Sequence, residues 1–131
     1  MTPTDIRAVL DTSAVLAVIF AEPGADHVIP LLGFSAISSV NLCEVVAKLC
    51  ERNASASEIE REVERFELLV VSFDEFLAFD AGVLHIKTKG RNISLGDRAC
   101  LVTARRMDLP ACTGDRQWMD LDLDVTIELI R

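Results

Sequence analysis

Asp11, Glu44, Asp97 and Asp115 are the residues whose types and placement could do chemistry. Asp11 closes the apolar run Ile6-Arg7-Ala8-Val9-Leu10, and Glu44 lies one turn into a segment opened by Ser38-Ser39. Asp97 sits in the first turn of a helix that Ser94 can cap, and Asp115 follows Thr113-Gly114 after a short strand-like run. Each falls near the carboxyl end of a predicted strand or in the helix just after it, the edge at which open α/β sheets hold their ligands. Carboxylates gathered there repel one another unless a divalent cation joins them. Hard oxygen donors select Mg2+ or Mn2+ over zinc, and His27 and His85 stand alone on helices. A cation so held lowers the pKa of a bound water, and a second about 3.5–4 Å away can steady a leaving oxygen. That is the chemistry of phosphodiester hydrolysis.

Each acid also has a plainer role. Asp11 can cap the next helix, as can Ser13. Glu44 precedes Lys48 by four residues, a pair that supports a helix by about 0.2–0.5 kcal/mol. Asp97 in a first turn is favoured by the helix dipole by about 0.3–1 kcal/mol, yet it leads the apolar stripe Cys100, Leu101 and Ala104. Asp115 can be a turn residue, though the Thr113 hydroxyl beside it could orient a carboxylate or a water. Asp120, Asp122 and Asp124 alternate with Leu121, Leu123 and Val125 like the wet side of a strand, with Asp120 a weaker substitute ligand.

The elements that must position these groups read as alternating strands and helices. Strands are expected at Ile6–Leu10, Phe34–Ile37, Leu68–Ser72, Ala111–Thr113 and within Val125–Ile130. Between them fall helices at Ser13–Phe20, Ala25–Leu32, 39–52, from Ser55 or Ser57 to about Glu67, Glu75–Thr88 and Leu95–Met107. Ser55 with Glu58 makes a capping box. In the helix from Glu75, Phe76, Phe79, Val83 and Ile86 follow helical spacing and read as core. The alternation predicts an α/β fold with a parallel sheet covered on both faces.

The chain has 131 residues, which predicts a single domain over 1–131. No apolar stretch approaches the roughly 20 residues that span a bilayer. The opening Met1-Thr2-Pro3-Thr4-Asp5 lacks the positive region of a signal peptide, so a cytoplasmic protein is expected. Cys43, Cys50, Cys100 and Cys112 form no CxxC pair and no zinc spacing, and read as reduced core thiols. A net charge of −8 speaks against a nucleic-acid ligand, but residues 87–116 hold seven basic against three acidic residues. The acidic balance therefore lies elsewhere, and the basic stretch is either a phosphate-facing surface or a solvated one.

Four runs together resemble a known family: Val9-Leu10-Asp11-Thr12-Ser13-Ala14, Ser39-Val40-Asn41-Leu42-Cys43-Glu44-Val45, Ser94-Leu95-Gly96-Asp97-Arg98-Ala99-Cys100 and Thr113-Gly114-Asp115-Arg116-Gln117-Trp118. In order and spacing they resemble PIN domains, and most of all VapC toxins of bacterial type II toxin–antitoxin systems. The resemblance implies a five-stranded, mostly parallel sheet in an α/β/α sandwich. It implies a Mg2+- or Mn2+-dependent endoribonuclease leaving a 5′-phosphate and a 3′-hydroxyl. It further implies metal-binding acids at Asp11, Glu44, Asp97 and Asp115, with supporting hydroxyls at Ser13 and Thr113. A homodimer and a VapB-type antitoxin, whose C-terminal segment covers the site, also follow from it. Arg98 and Arg116, directly after two of the acids, are less typical and are candidates for RNA contact. Trp118 stands where Phe is frequent.

Two other readings remain. A PIN-like binding module without catalysis would keep the fold and not the reaction. A phosphotransfer domain of haloacid dehalogenase or receiver type also places an Asp after its first strand. The former needs a second acid where this chain has Ser13, and the latter a Lys after a late strand, which is missing after Thr113. No GxGxxG or P-loop is present.

Overall fold

A computed structural model describes residues 5–131; the first four residues of the leader reading lie outside it. Five short strands, β1 (Ala8–Leu10), β2 (Ser35–Ser38), β3 (Leu69–Val71), β4 (Ala111–Thr113) and β5 (Ile127–Leu129), form one sheet in the order β3-β2-β1-β4-β5. Every pairing is parallel. The central strands carry apolar side chains on both faces, as parallel strands buried on both sides must. Ala8 and Leu10 of β1 enter one core, with Ile37 and Cys112, while Val9 enters the other, with Ala36 and Ala111. The first core is closed by α1 (Thr12–Ile19), α2 (Ala25–Val28), α3 (Ser39–Glu51) and α4 (Ala56–Glu64). The second is closed by α5 (Glu75–Val83), by Leu84 just ahead of α6 (His85–Thr88), and by α7 (Leu95–Met107), together with the fully buried Trp118.

Local rules set most boundaries. Asp11, Ser38, Asp74 and Ser94 cap α1, α3, α5 and α7 with their side chains. Ser55 and Glu58 complete a capping box on α4. Pro30 converts the end of the second predicted helix into a 3-10 turn, Ile29–Leu31.

Several expectations need correction. The stripe Phe76, Phe79, Val83 and Ile86 is not core: these side chains are 65%, 72%, 47% and 77% exposed. The buried stripe is Leu77, Ala81, Leu84 and Thr88, one or two positions further along. Two apolar stripes at helical spacing coexist on this segment, and spacing alone does not say which one meets the sheet. The smaller Ala81 lets α5 pack closely against α7, which leaves the bulky aromatics outside. The segment also breaks at Leu84 into α5 and α6.

Cys43 and Cys50 are exposed on α3, and only Cys100 and Cys112 are core thiols. Asp120, Asp122 and Asp124 do not alternate along a strand. A 3-10 turn, Arg116–Asp120, and an irregular segment precede β5. Among the described residues, no helix is long and apolar enough to cross a membrane.

Candidate active site

The strand order reverses at β1, which has β2 on one side and β4 on the other. The crevice beyond the ends of β1 and β4 is where such sheets hold ligands, and there the chain puts Asp11 and the Thr113-Gly114-Asp115 turn. Asp11 is 4% exposed and does cap α1. Its Oδ1 accepts from the Ala14 N–H at 2.8 Å and the Ser13 hydroxyl at 2.7 Å. Its Oδ2 accepts from the Thr113 hydroxyl at 2.6 Å. Ser13 Oγ also reaches across the crevice to accept from the Gly114 N–H at 2.9 Å, and Thr113 Oγ1, which crosses to Asp11, accepts from the Asp115 N–H of its own turn at 3.0 Å. The turn after β1 is thereby bolted to the turn after β4.

Burial lifts the Asp11 carboxyl from 3.8 to about 6, against the hydrogen bonds from Thr113, Ser13 and Ala14, and the charge of Asp97 adds to the rise. Asp97 is the N3 residue of α7. Its Oδ2 accepts from the Ser94 N–H at 2.9 Å, and its own N–H donates to Ser94 Oγ at 3.1 Å. Its carboxyl is also raised, chiefly by burial, with Ser94 opposing and the charges of Asp115 and Glu44 adding. All four acids are thus linked electrostatically through Asp97. Asp115 caps the following 3-10 turn, its Oδ1 accepting from the Gln117 N–H at 2.9 Å.

Glu44 does not pair with Lys48, which instead meets Glu51 at 3.2 Å. Glu44 Oε1 accepts from the Thr12 hydroxyl at 2.5 Å and from Asn41 Nδ2 at 3.0 Å. Asn41 Nδ2 also reaches the Gly96 carbonyl at 3.0 Å, so α3 is tied to α1 and to the first turn of α7. Gly96 makes room for this. A Cβ there would lie 2.7 Å from the Glu44 carboxyl carbon and closer still to its oxygens.

Thr12, Asn41 and Gly96 are the supporting residues that sequence reasoning missed. Each left a signal: Thr12 adjoins Asp11, Asn41 stands three residues before Glu44 on the same helical face, and Gly96 is a poor helix former in a first turn.

The donors suit a hard cation, being carboxylate oxygens, and the buried Asn41 Oδ1 has no hydrogen-bond partner. A buried acceptor of this kind calls for a water or an ion. The cage is open, however. Among the described residues the trio of potential ligands with all donor atoms within 4.8 Å of one another is His27, Cys112 and Glu128, not any three of these acids.

The arginines divide. Arg98 is half-buried, its Nη1 donating to the Ala81 carbonyl at 2.9 Å, which commits it to α5. Arg116 is exposed next to Asp115. Elsewhere in the basic stretch, Arg106 lies 3.5 Å from Asp74 and 3.7 Å from Asp80, Arg91 lies 3.9 Å from Asp120, and Lys87 donates to the Asp122 carbonyl at 3.4 Å. Part of the local positive charge is therefore already answered by acids of this chain.

A crevice at the switch point of a parallel α/β sheet, lined with charge-coupled carboxylates, is the class of site this fold presents. The family model for the PIN domain matches residues 8–123. The chain belongs to the PIN-domain family. None of the curated protein sequences compared with it matches significantly. Among solved structures it is similar to VapBC2 from Rickettsia felis bound to a promoter DNA fragment (TM-score 0.74, 18% identity, 95% of this chain and 98% of that one). It is also similar to a toxin–antitoxin complex from Klebsiella pneumoniae (0.74, 16%, 95% and 98%). A third is VapBC-5 from Mycobacterium tuberculosis (0.63, 24%, 95% and 98%).

Proposed function

We propose that this protein is a VapC-like toxin, a Mg2+- or Mn2+-dependent endoribonuclease acting in the cytoplasm as a single domain over residues 1–131. The observation that carries the reading is the buried Asp11 carboxylate, fixed by Ser13 and Thr113 and coupled through Asp97 to Asp115 and Glu44. A hard dication removes the repulsion among these groups and supplies a water of lowered pKa together with positive charge for the phosphate. Asp11, Asp97 and Asp115 would hold it, with Glu44 positioned at the rim by Thr12 and Asn41. Mg2+ keeps several waters and few carboxylates, so a partly open set of acids suits it. Ser13 and Thr113 keep Asp11 aimed while it ionises. Arg116 is the arginine free to meet an RNA phosphate.

The resemblance to VapBC complexes also supports a VapB-type antitoxin as partner. A groove between α3 and α4, lined by Leu42, Val46, Ile59 and Val63, fits one apolar face of an amphipathic helix from such a partner. The exposed stripe on α5 and α6 fits a homodimer contact, since monomers seldom leave contiguous apolar patches this bulky in water.

The test is cleavage of structured RNAs by purified protein with Mg2+ or Mn2+ against a chelator. Asp97→Asn, folded by circular dichroism, should lose cleavage. A wild-type protein that binds the ion yet cuts nothing would be a non-catalytic PIN-like binding module. Normal cleavage by a folded Asp97→Asn would remove Asp97 from the mechanism.

A further inference from the structure

Away from the carboxylates, a different set of donors converges under α2. Cys112 and Glu128 are register partners on β4 and β5, so their side chains leave the sheet on the same face. His27 of α2 comes down on them. Glu128 Oε2 lies 3.6 Å from His27 Nε2 and 3.7 Å from Cys112 Sγ, and all three donor atoms fall within 4.8 Å of one another. We propose that His27, Cys112 and Glu128 form a transition-metal site, of the kind that takes Zn2+, which staples α2 to the edge strand β5.

The spacing supports this. A tetrahedral zinc with bonds of about 2.0 Å to nitrogen or oxygen and about 2.3 Å to sulfur has ligand-to-ligand edges of roughly 3.3–3.5 Å. The two separations to Glu128 Oε2 are therefore within a few tenths of an ångström of a loaded site, and the His27–Cys112 pair, within 4.8 Å, would close on binding. One thiolate, one imidazole and one carboxylate select zinc over Mg2+, the reverse of the all-oxygen set at the crevice. The His27 and Glu128 side chains are each 42% exposed, which leaves an approach for the ion and a fourth position for water.

The site is also held in place without metal. Gly24, at φ +99°, lets the chain ahead of α2 press on β5, where a Cβ would sit 2.7 Å from the Ile130 carbonyl oxygen. Arg131 Nη1 donates to the Pro23 carbonyl at 2.9 Å. Both ties bring the α2 segment and the end of β5 together, so little ordering is left for the ion to impose. Burial and the neighbouring Glu128 charge push the Cys112 thiol up to about 12, so the free protein keeps the thiol proton. Binding exchanges that proton for the ion: the S–H bond breaks, a sulfur–metal bond forms, and one proton passes to solvent.

The experiment is titration of the reduced, chelator-treated full chain with Co2+ and then Zn2+. One equivalent of Co2+ should produce thiolate-to-cobalt charge-transfer absorption that Zn2+ abolishes. A hundredfold excess of Zn2+ over its Kd should raise Tm by roughly 10 °C. His27→Ala, a change at the surface, should weaken binding at least tenfold and leave Mg2+-dependent RNA cleavage unchanged. Replacing the exposed Cys43 and Cys50 together with Ser should leave the absorption intact. Three results would overturn the proposal: no thiolate absorption, absorption that disappears with Cys43 and Cys50, or wild-type affinity in both His27→Ala and Glu128→Gln.

Discussion

Asp11→Asn should stabilise the metal-free protein at neutral pH while abolishing its activity, and the size of the gain follows from the burial of the carboxylate. The Asp11 carboxyl is raised from 3.8 to about 6, which at 1.36 kcal/mol per tenfold change in proton affinity is about 3 kcal/mol. The sign is opposite to that of the usual salt-bridged aspartate. Between about pH 4 and 6 the folded protein holds the proton that the unfolded chain has already released, so stability falls across that window as pH rises. Above it the protein keeps an ionised carboxylate that its surroundings disfavour. Asparagine imitates the protonated acid. Its Oδ1 still accepts from Ala14 N–H and the Ser13 hydroxyl, and its Nδ2 faces Thr113 Oγ1 where Asp11 Oδ2 now accepts. Turning the Thr113 hydroxyl to another acceptor costs about 1 kcal/mol, leaving a net gain of about 2 kcal/mol.

Thermal or urea unfolding in a chelator measures it. At pH 8 the variant should melt roughly 7 °C above wild type, and near pH 4, where the folded wild type carries the proton and only the Thr113 cost remains, about 3 °C below it. Adding Mg2+ should more than close the gap from the wild-type side, raising wild type by about 2.7 kcal/mol at a hundredfold excess over Kd. Equal or lower stability of Asp11→Asn at pH 8 in chelator, with the same pH profile as wild type, would refute the claim that a strained carboxylate awaits a cation here.

Other substitutions probe the supports. Gly96→Ala should improve the intrinsic helix propensity of α7 by up to about 1 kcal/mol yet cost most of the cleavage rate, because its Cβ displaces the Glu44 carboxylate; kinetics and unfolding on one preparation check both halves. Thr113→Val removes a hydroxyl that serves Asp11 and the Asp115 N–H, and should cost about 1–3 kcal/mol for the groups left unpaired, read by urea unfolding. Phe79→Asp on the exposed stripe should halve the solution mass by light scattering while leaving Tm within a few degrees. An unchanged mass would place any dimer contact elsewhere.

The order of strands and helices was legible because each element carries its own signal: an apolar run ended by Asp-Thr-Ser, a serine three residues before an acid, a proline that stops a helix. Asp11, Asp97 and Asp115 carry a local signal of the same kind, each lying just past a strand or in a first turn, whereas Glu44 lies in the second turn of α3. What could not be read was the direction in which side chains point when two faces compete. Phe76 and Leu77 are equally apolar neighbours on one helix, and only the fit of Ala81 against α7 decides which is buried. Arg98 looked like an RNA contact from its place after Asp97, but the carbonyl it reaches belongs to Ala81, seventeen residues away in sequence. Cys112, His27 and Glu128 have no motif spacing, since two parallel strands and a short helix bring them together.

The charge coupling also explains why the acids tolerate ordinary structural duties. Asp11 and Asp115 cap a helix and a turn, and Asp97 completes the capping box of α7 with Ser94; each role needs a carboxylate oxygen as acceptor. Backbone amides in each case use a carboxylate oxygen as acceptor, and a hard cation asks the same of it. Capping and the proposed metal binding would therefore draw on the same property without competing: one oxygen turns to the amides, leaving the other for the crevice. Asp11 is the exception because hydroxyls occupy both of its oxygens. Its Oδ2 is bound by Thr113, which can rotate its hydrogen away without moving the chain. A Thr113→Ser variant, which keeps that rotation, should retain cleavage where Thr113→Val loses it. Equal loss in both would assign the effect to the missing methyl and to packing.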